Sequence, residues 1–199
     1  MKILAFSDLH RDLDQAANLT EMSKDADVII GAGDFASIHE GLKETISALA
    51  GIETPAVLVA GNNETFDALK TAAASWPAAT VLHGDSIEID GRTFFGLGGG
   101  IPVTPWDWSY DLEESEAEAL LADLPEGAVL AVHSPPKGHC DEAGNGMSLG
   151  SKAILKAIEE KQPVLTVCGH IHESWGKESQ VGATEIVNLG PKGRFFTLE

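Results

Sequence analysis

Apolar positions in the first half of the chain alternate between two periods. Residues 3–6 form a short apolar run that predicts a strand buried on both faces. Residues 12–23 then carry Leu13, Ala16, Ala17, Leu19 and Met22 at helical spacing. The β-branched run Val28-Ile29-Ile30 predicts a second strand, broken by Gly31 and Gly33, and residues 38–49 return to the helical period. Residues 56–59 read as a third strand ended by Gly61, and 65–74 as a helix closed by Trp76-Pro77. Short strands separated by helices predict βαβ units with parallel pairing.

The middle changes character. Runs 86–89 and 93–96 flank Asp90-Gly91, and a two-residue Asp-Gly between strand-like runs predicts a hairpin. After Gly98-Gly99-Gly100 comes a loop holding Trp106, Trp108 and Tyr110, then an acidic helix near 112–123. The last third reads as a strand at 129–132, a polar loop reaching Met147, a helix near 149–160 and a strand at 164–167. Three short strand-like segments follow between 175 and 198. With no repeat, low-complexity stretch or linker, this pattern predicts one α/β domain over 1–199: two mixed sheets face to face, with helices outside.

Composition narrows the setting. The 199 residues are 43% hydrophobic, enough for a core, and no apolar run approaches the roughly 20 residues of a membrane span. The N-terminal apolar run stops at Ser7-Asp8, too early for a signal peptide. Cys140 and Cys168 alone do not make a disulfide framework, so free thiols in the cytoplasm are expected. Thirteen Lys and Arg against 31 Asp and Glu give a net charge of −18. Such a surface repels polyanions at long range and argues against extended nucleic-acid binding. A small phosphate ester stays admissible, because bound metal inverts the local field.

Five clusters stand just after predicted strands, where open α/β sheets place their sites. They are Asp8-Leu9-His10, Gly33-Asp34, Gly61-Asn62-Asn63-Glu64, His133 and Gly169-His170-Ile171-His172. The donors are carboxylates, imidazoles and an amide oxygen, a mixed set that suits manganese, iron, zinc, cobalt or nickel. A two-residue step at a strand end lets both side chains of Asp8-x-His10, or of His170-x-His172, turn to one side. A glycine before a ligand lets the backbone turn sharply and approach closely.

The ordered set DxH, GD, GNxE, H, GHxH, from Asp8 to His172, resembles the calcineurin-like metallophosphoesterase superfamily. The stretch His133-Ser134-Pro135-Pro136-Lys137-Gly138, with Gly150-Ser151 and Gly169-His170-Ile171-His172-Glu173, looks like a prokaryotic branch of predicted phosphoesterases. The resemblance implies a four-layer αββα sandwich with a dinuclear metal centre, manganese first among the candidate metals. It implies that Asp8, His10 and His172 hold one ion, that Asn62, His133 and His170 hold the other, and that Asp34 bridges them. Two such ions share a water, lower its pKa and make a hydroxide that attacks phosphorus. The expected substrate is a phosphodiester or an activated phosphomonoester, and the expected assembly a monomer or homodimer.

Position 63 departs from the family. Many members carry a His there, thought to protonate the leaving group or steady the phosphate, and this chain has Asn63. An amide donates a hydrogen bond but gives up no proton near neutral pH. Either the leaving group needs little protonation, or another group supplies the proton (His39, His139 and Glu64 are candidates), or the fold serves as a metal-binding scaffold or interaction module with little catalysis. Asn63 and Arg11 are candidate phosphate contacts, as is Lys137. Trp106, Trp108 and Tyr110 offer surfaces for stacking on a base or aryl group, or else belong to a core or dimer contact. Asp12, Asp14, Glu113, Glu114, Glu116 and Glu118 read as a solvated face.

Overall fold

The computed structural model describes residues 1–199. The first half runs β1 (Lys2–Phe6), α1 (Leu13–Met22), β2 (Val28–Ala32), α2 (Leu42–Leu49), β3 (Ala56–Val59), α3 (Phe66–Ala73) and β4 (Ala79–Val81). The hairpin β5 (Asp85–Ile89) and β6 (Arg92–Leu97) follows, then α4 (Glu114–Leu121), β7 (Val129–Val132), α5 (Lys152–Lys161) and β8 (Leu165–Cys168). The chain ends with β9 (Glu178–Val181), β10 (Thr184–Asn188) and β11 (Arg194–Thr197).

These strands form two mixed sheets, ordered β11-β1-β2-β3-β4 and β5-β6-β7-β8-β10-β9. β1 to β4 pair in parallel, and β11 returns antiparallel to β1. In the second sheet β6, β7, β8 and β10 are parallel, with β5 and β9 as antiparallel edges.

Alternation along each strand sorts side chains into three apolar layers. Ile3, Ala5, Val28, Ile30, Val57 and Val59 point between the sheets and meet Phe94, Val129, Ala131, Leu165 and Val167. The intervening Leu4, Phe6, Ile29 and Leu58 face Leu19, Ile46, Leu49 and Leu69 of α1, α2 and α3. On the far side, Phe95, Leu97, Leu130 and Val132 pack on Ala117 and Leu121 of α4 and on Ile154 and Ile158 of α5. This is the αββα sandwich. It explains why the central strands read as unbroken apolar runs: both of their faces are covered.

The predicted hairpin turn is present, with Asp90 (φ 49°) and Gly91 (φ 77°) both left-handed, as a type I′ turn requires. The helix expected from residue 38 begins only at Leu42, because Ile38 (φ 48°) and His39 (φ 63°) are left-handed. They are held there by tertiary bonds: Asn63 Oδ1 accepts from Ile38 N at 2.8 Å and the Asn63 carbonyl from His39 N at 2.8 Å. The helix expected from residue 149 starts at Lys152, where the Ser151 hydroxyl caps it by accepting from Ile154 N.

The acidic residues do more than cover a solvated face. Asp12 caps α1, and Glu113 with Glu116 forms a capping box on α4. The Glu114 carboxylate accepts from Ser151 Oγ, Lys152 N and Ala153 N at 2.8–2.9 Å. It therefore sits on the positive end of the neighbouring helix α5.

Candidate metal centre

The C-terminal ends of five strands deliver the side chains singled out in the sequence. Asp8 follows β1, Asp34 follows β2, Asn62 follows β3, His133 follows β7 and His170 follows β8. His172 opens a short 3-10 turn, His172–Ser174. The seven side chains converge. Asp34 Oδ2 lies 3.5 Å from His10 Nε2, and Asp34 Oδ1 lies 3.5 Å from His133 Nε2. His172 Nε2 is 3.2 Å from His10 Nε2 and 3.7 Å from Asp8 Oδ1. Asn62 Oδ1 is 3.3 Å from His133 Nε2 and 3.1 Å from His170 Nδ1. The donor atoms of Asp8, His10 and His172 lie within 4.8 Å of one another, as do those of Asp8, Asp34 and His133.

Neighbouring groups aim these donors inward. His10 Nδ1 is 3.1 Å from the Ala36 carbonyl, and His133 Nδ1 is 2.8 Å from the Ala32 carbonyl. An N–H given to a carbonyl leaves the Nε2 lone pair of each ring free for the centre. Asn62 Nδ2 donates to Ser109 Oγ at 2.8 Å, so its Oδ1 faces the imidazoles. Asp8 Oδ2 accepts from Ser7 Oγ at 2.5 Å and from Trp175 Nε1 at 3.1 Å. The Trp175 ring also lies 4.3 Å from the His172 ring, centroid to centroid. The sequence reading missed Trp175, since a lone Trp outside the motifs carries no local signal.

The charge balance of the cluster calls for a cation. Asp8, Asp34 and Glu64 are buried together, and the ion pairs of Asp8 and Asp34 are with histidines alone. Burial, aided by the negative charge of Asp8, pushes Asp34 up to about 7. Burial and the charge of Asp34 push Glu64 up to about 7 as well. Burial works the same way on Asp8, but its bond with His172, the charge of His133 and the Ser7 hydroxyl outweigh it and hold Asp8 well below the carboxylate range. His170 is pushed down to about 3, by burial first and by His133 second. The bond to Asp8 raises His172. An ionised carboxylate, a neutral imidazole and a carboxylate lacking a cation suit a metal, and the mixed N and O donors match the metals inferred from sequence.

Tight backbone geometry makes this convergence possible. Asp8, His10, Arg11, Asp34, Ile38, His39 and His170 are seven of the ten non-glycine residues with positive φ, so backbone strain is concentrated around the cluster. A Cβ on Gly61 would lie 2.0 Å from Asp34 Oδ1 and 2.2 Å from Asp34 N, and one on Gly169 would lie 2.4 Å from Asp8 Oδ2. Glycine at these positions is a condition of the ligands' approach.

The remaining sequence candidates fall into two groups. Asn63 lies in the cluster but is spent on structure: its Nδ2 donates to Asp34 Oδ2 at 2.7 Å and its backbone N to Asp34 Oδ1 at 2.9 Å. Glu64 staples the loops after β2 and β3 together by accepting from Gly61 N, Asp34 N and Ala36 N at 2.7–2.9 Å. His39 Nε2 sits 2.5 Å from the Trp108 carbonyl, and His139 Nδ1 sits 2.6 Å from Ser179 Oγ. Arg11 lies along Gly41 and faces Glu40 at 3.6 Å, and Lys137 donates to the Ser148 carbonyl. Tyr110 packs beside His83. None of these last five lines the cleft of about 710 Å³ that opens onto His10, Asp34, Asn62, Asn63, His170 and His172, whereas Trp106 and Trp108 do. No helix is long and apolar enough to cross a membrane.

Comparison with known proteins bears on the fold and the family. The UPF0046 protein K07C11.7 of Caenorhabditis elegans is 30% identical over 94% of this chain and 69% of its own length. Three further curated relatives, matched over about half of this chain, are spanned over only 28–29% of their length. The structure of TT1561 of Thermus thermophilus superposes with a TM-score of 0.77 at 19% identity, covering 96% of this chain and 90% of that one. A dimetal phosphatase from Danio rerio superposes with a TM-score of 0.65 at 12% identity, covering 96% and 88%. The sequence matches the calcineurin-like phosphoesterase superfamily domain over residues 1–197, and the chain belongs to that superfamily.

Proposed function

We propose that this chain is a dinuclear, metal-dependent phosphoesterase that hydrolyses a phosphodiester or an activated phosphomonoester. Asp8, His10 and His172 would hold one ion, Asn62, His133 and His170 would hold the other, and the carboxylate of Asp34 would serve both. Manganese is the first candidate, with iron, zinc, cobalt or nickel as alternatives. When bound, the ions supply Lewis acidity and a hydroxide nucleophile at neutral pH. The observation that carries the reading is the cleft: the donor cluster opens to solvent through His10 and His172, whose side chains are 25% and 47% exposed. A structural metal site is closed, whereas a catalytic one keeps an open position.

The protein's own part is positioning. Asn63 fixes both oxygens of Asp34, and Ser109 fixes the amide of Asn62. Hydrolysis joins a water oxygen to phosphorus and breaks the bond to the leaving alcohol, which must take up a proton or depart as an anion. Glu64, His39 and His139 are all committed to other bonds and none lines the cleft. The reading therefore favours esters with acidic leaving groups. The buried free thiols support a cytoplasmic setting, and the charge of −18 supports a small ester over a polyanion; we take the chain as one domain, monomeric or homodimeric.

The test is metal analysis of the purified protein, followed by turnover of bis(p-nitrophenyl) phosphate and p-nitrophenyl phosphate with Mn²⁺. We expect metal-dependent hydrolysis that Asp34→Asn abolishes. Inactivity on both esters and on a panel of natural diesters, or full activity of Asp34→Asn, overturns the reading. Metal that raises the melting temperature of an inactive protein moves it to a metal-stabilised scaffold.

A further inference from the structure

The cleft has two unlike halves. Its floor is the donor cluster, and its wall is apolar: Ile38, Pro102, Val103, Trp106, Trp108 and Leu149 line it. Ile38, Val103, Trp106 and Leu149 are four of the eight large apolar side chains exposed on the whole surface, at 54, 51, 50 and 39%. Exposed apolar groups gathered on one side of a polar cluster mark a binding surface. The Trp106 and Trp108 rings stack at 5.5 Å with 10° between their planes.

This wall is tied to the donor cluster. Asn62 Nδ2 donates to Ser109 Oγ, which donates to Asp111 Oδ1 at 2.6 Å. Asp111 Oδ2 accepts from Thr104 N and Thr104 Oγ1 at 2.7 Å each. The Asn62 carbonyl accepts from Tyr110 N, and the Trp108 carbonyl sits against His39. The loop bearing both tryptophans is thus closed on itself through Thr104 and Asp111 and tied to Asn62 and His39 at residues 108–110, a pre-ordered surface that loses little freedom on binding. Charge selects the occupant further. The lining contains Asp34 and Glu173 and no lysine or arginine, so an arm carrying extra phosphates or carboxylates finds no cation besides the metals.

We propose that the Trp106–Trp108 wall is a subsite for an uncharged aromatic arm of the substrate, so that the natural ester joins a phosphate to an aryl or heterocyclic group without further anionic charge. The proposal rests on the phosphoesterase reading for the phosphate end only. Stacking on an aromatic side chain contributes roughly five- to hundredfold per ring in affinity.

The test uses p-nitrophenyl esters that share a leaving group and differ in the other arm: phenyl, methyl or carboxymethyl, with Mn²⁺. The phenyl ester should show a KM about tenfold or more below the methyl ester, and the carboxymethyl ester the highest KM. Trp106→Ala should bring the phenyl-to-methyl ratio within about twofold of one. Equal KM values for phenyl and methyl esters in the wild type, with equal affinities for phenylphosphonate and methylphosphonate (which lack the aryl leaving group), overturn the proposal while leaving metal-dependent hydrolysis standing. If none of the esters turns over, calorimetry with phenylphosphonate and methylphosphonate decides. Tighter phenylphosphonate binding that Trp106→Ala removes upholds the subsite, and equal binding overturns it.

Discussion

Replacing Asn63 by alanine tests whether this residue acts on the centre by holding Asp34. The substitution removes the Nδ2–H bond to Asp34 Oδ2 at 2.7 Å and the Oδ1 acceptor of Ile38 N at 2.8 Å. The second bond is present with or without metal, so its loss appears as stability, on the order of 1–2 kcal/mol once an unsatisfied N–H is counted. The first changes with metal. In the metal-free protein Asp34 is pushed up to about 7, so at pH 6 its carboxyl is mostly neutral and the bond is an ordinary one. With metal bound the carboxylate is ionised and the bond becomes charge-assisted, worth about 1–2 kcal/mol more. That difference predicts a roughly tenfold weaker Mn²⁺ affinity at pH 6. Calorimetric titration with Mn²⁺ reads the affinity, and urea unfolding of the metal-free protein reads the stability. Asn63→His separates the two: a ring N–H can replace the bond to Asp34, but nothing replaces the acceptor for Ile38, so affinity should recover and stability should not. Mn²⁺ affinity of Asn63→Ala within twofold of the wild type would refute the positioning role.

Metal affinity should itself depend on pH. Asp34 must lose a proton to bind metal and is held near 7 in the folded protein. His172, raised by its bond to Asp8, must lose a proton as well, so affinity should rise by more than tenfold per pH unit at acid pH and flatten above neutrality, and calorimetry in two buffers should show more than one proton released. A flat profile would contradict this. Trp175→Phe keeps a ring against His172 but loses the N–H to Asp8, and should weaken Mn²⁺ binding roughly tenfold, read by the same titration. Gly61→Ala places a Cβ 2.0 Å from Asp34 Oδ1 and should destabilise the protein by about 3 kcal/mol or more, seen as a lowered melting temperature. Glu114→Ala leaves Ser151 Oγ, Lys152 N and Ala153 N without their acceptor. It should lose about 1–2 kcal/mol in urea unfolding with turnover unchanged.

The legible parts of the fold are those set by local period. The apolar runs of β1, β2, β3, β7 and β8 and the Asp90-Gly91 turn are written in a few consecutive residues, and the strand ends they define carry the ligand motifs. The parts that escaped depend on distant partners. The helix period runs back to Ile38, but bonds to Asn63 hold Ile38 and His39 out of the helix. β4 is only three residues, Ala79–Val81, too short to show a period. Glu114 sits in an acidic stretch that looks solvated until α5 is placed beside it. Trp175 acts across 167 positions of sequence on Asp8, and no spacing rule covers such a pair. Asn63 shows the same limit at the site: its identity was visible, but the bond to Asp34 that gives it a role was not.

Three features of the centre belong together. Asp8, His10, Asp34 and His170 are held at φ values of 43–68°, each costing on the order of 1–2 kcal/mol for a residue with a Cβ. Asp34 and Glu64 are buried beside Asp8 with no lysine or arginine to pair with. Gly61 and Gly169 give up side-chain packing so that the carboxylates can approach. Each feature alone destabilises the folded chain, and a marginally stable domain does not carry several such costs at one spot without an offset. The two divalent cations of the proposed centre would offset the first two together: they would neutralise the carboxylates and fix the donors in the geometry that the strained backbone presents. A scaffold using metal for stability alone would gain as much from a closed site. Here the proposed centre lies where His10 and His172 remain exposed beside an apolar wall, so a ligand could reach ions held there without any part of the strained backbone having to move.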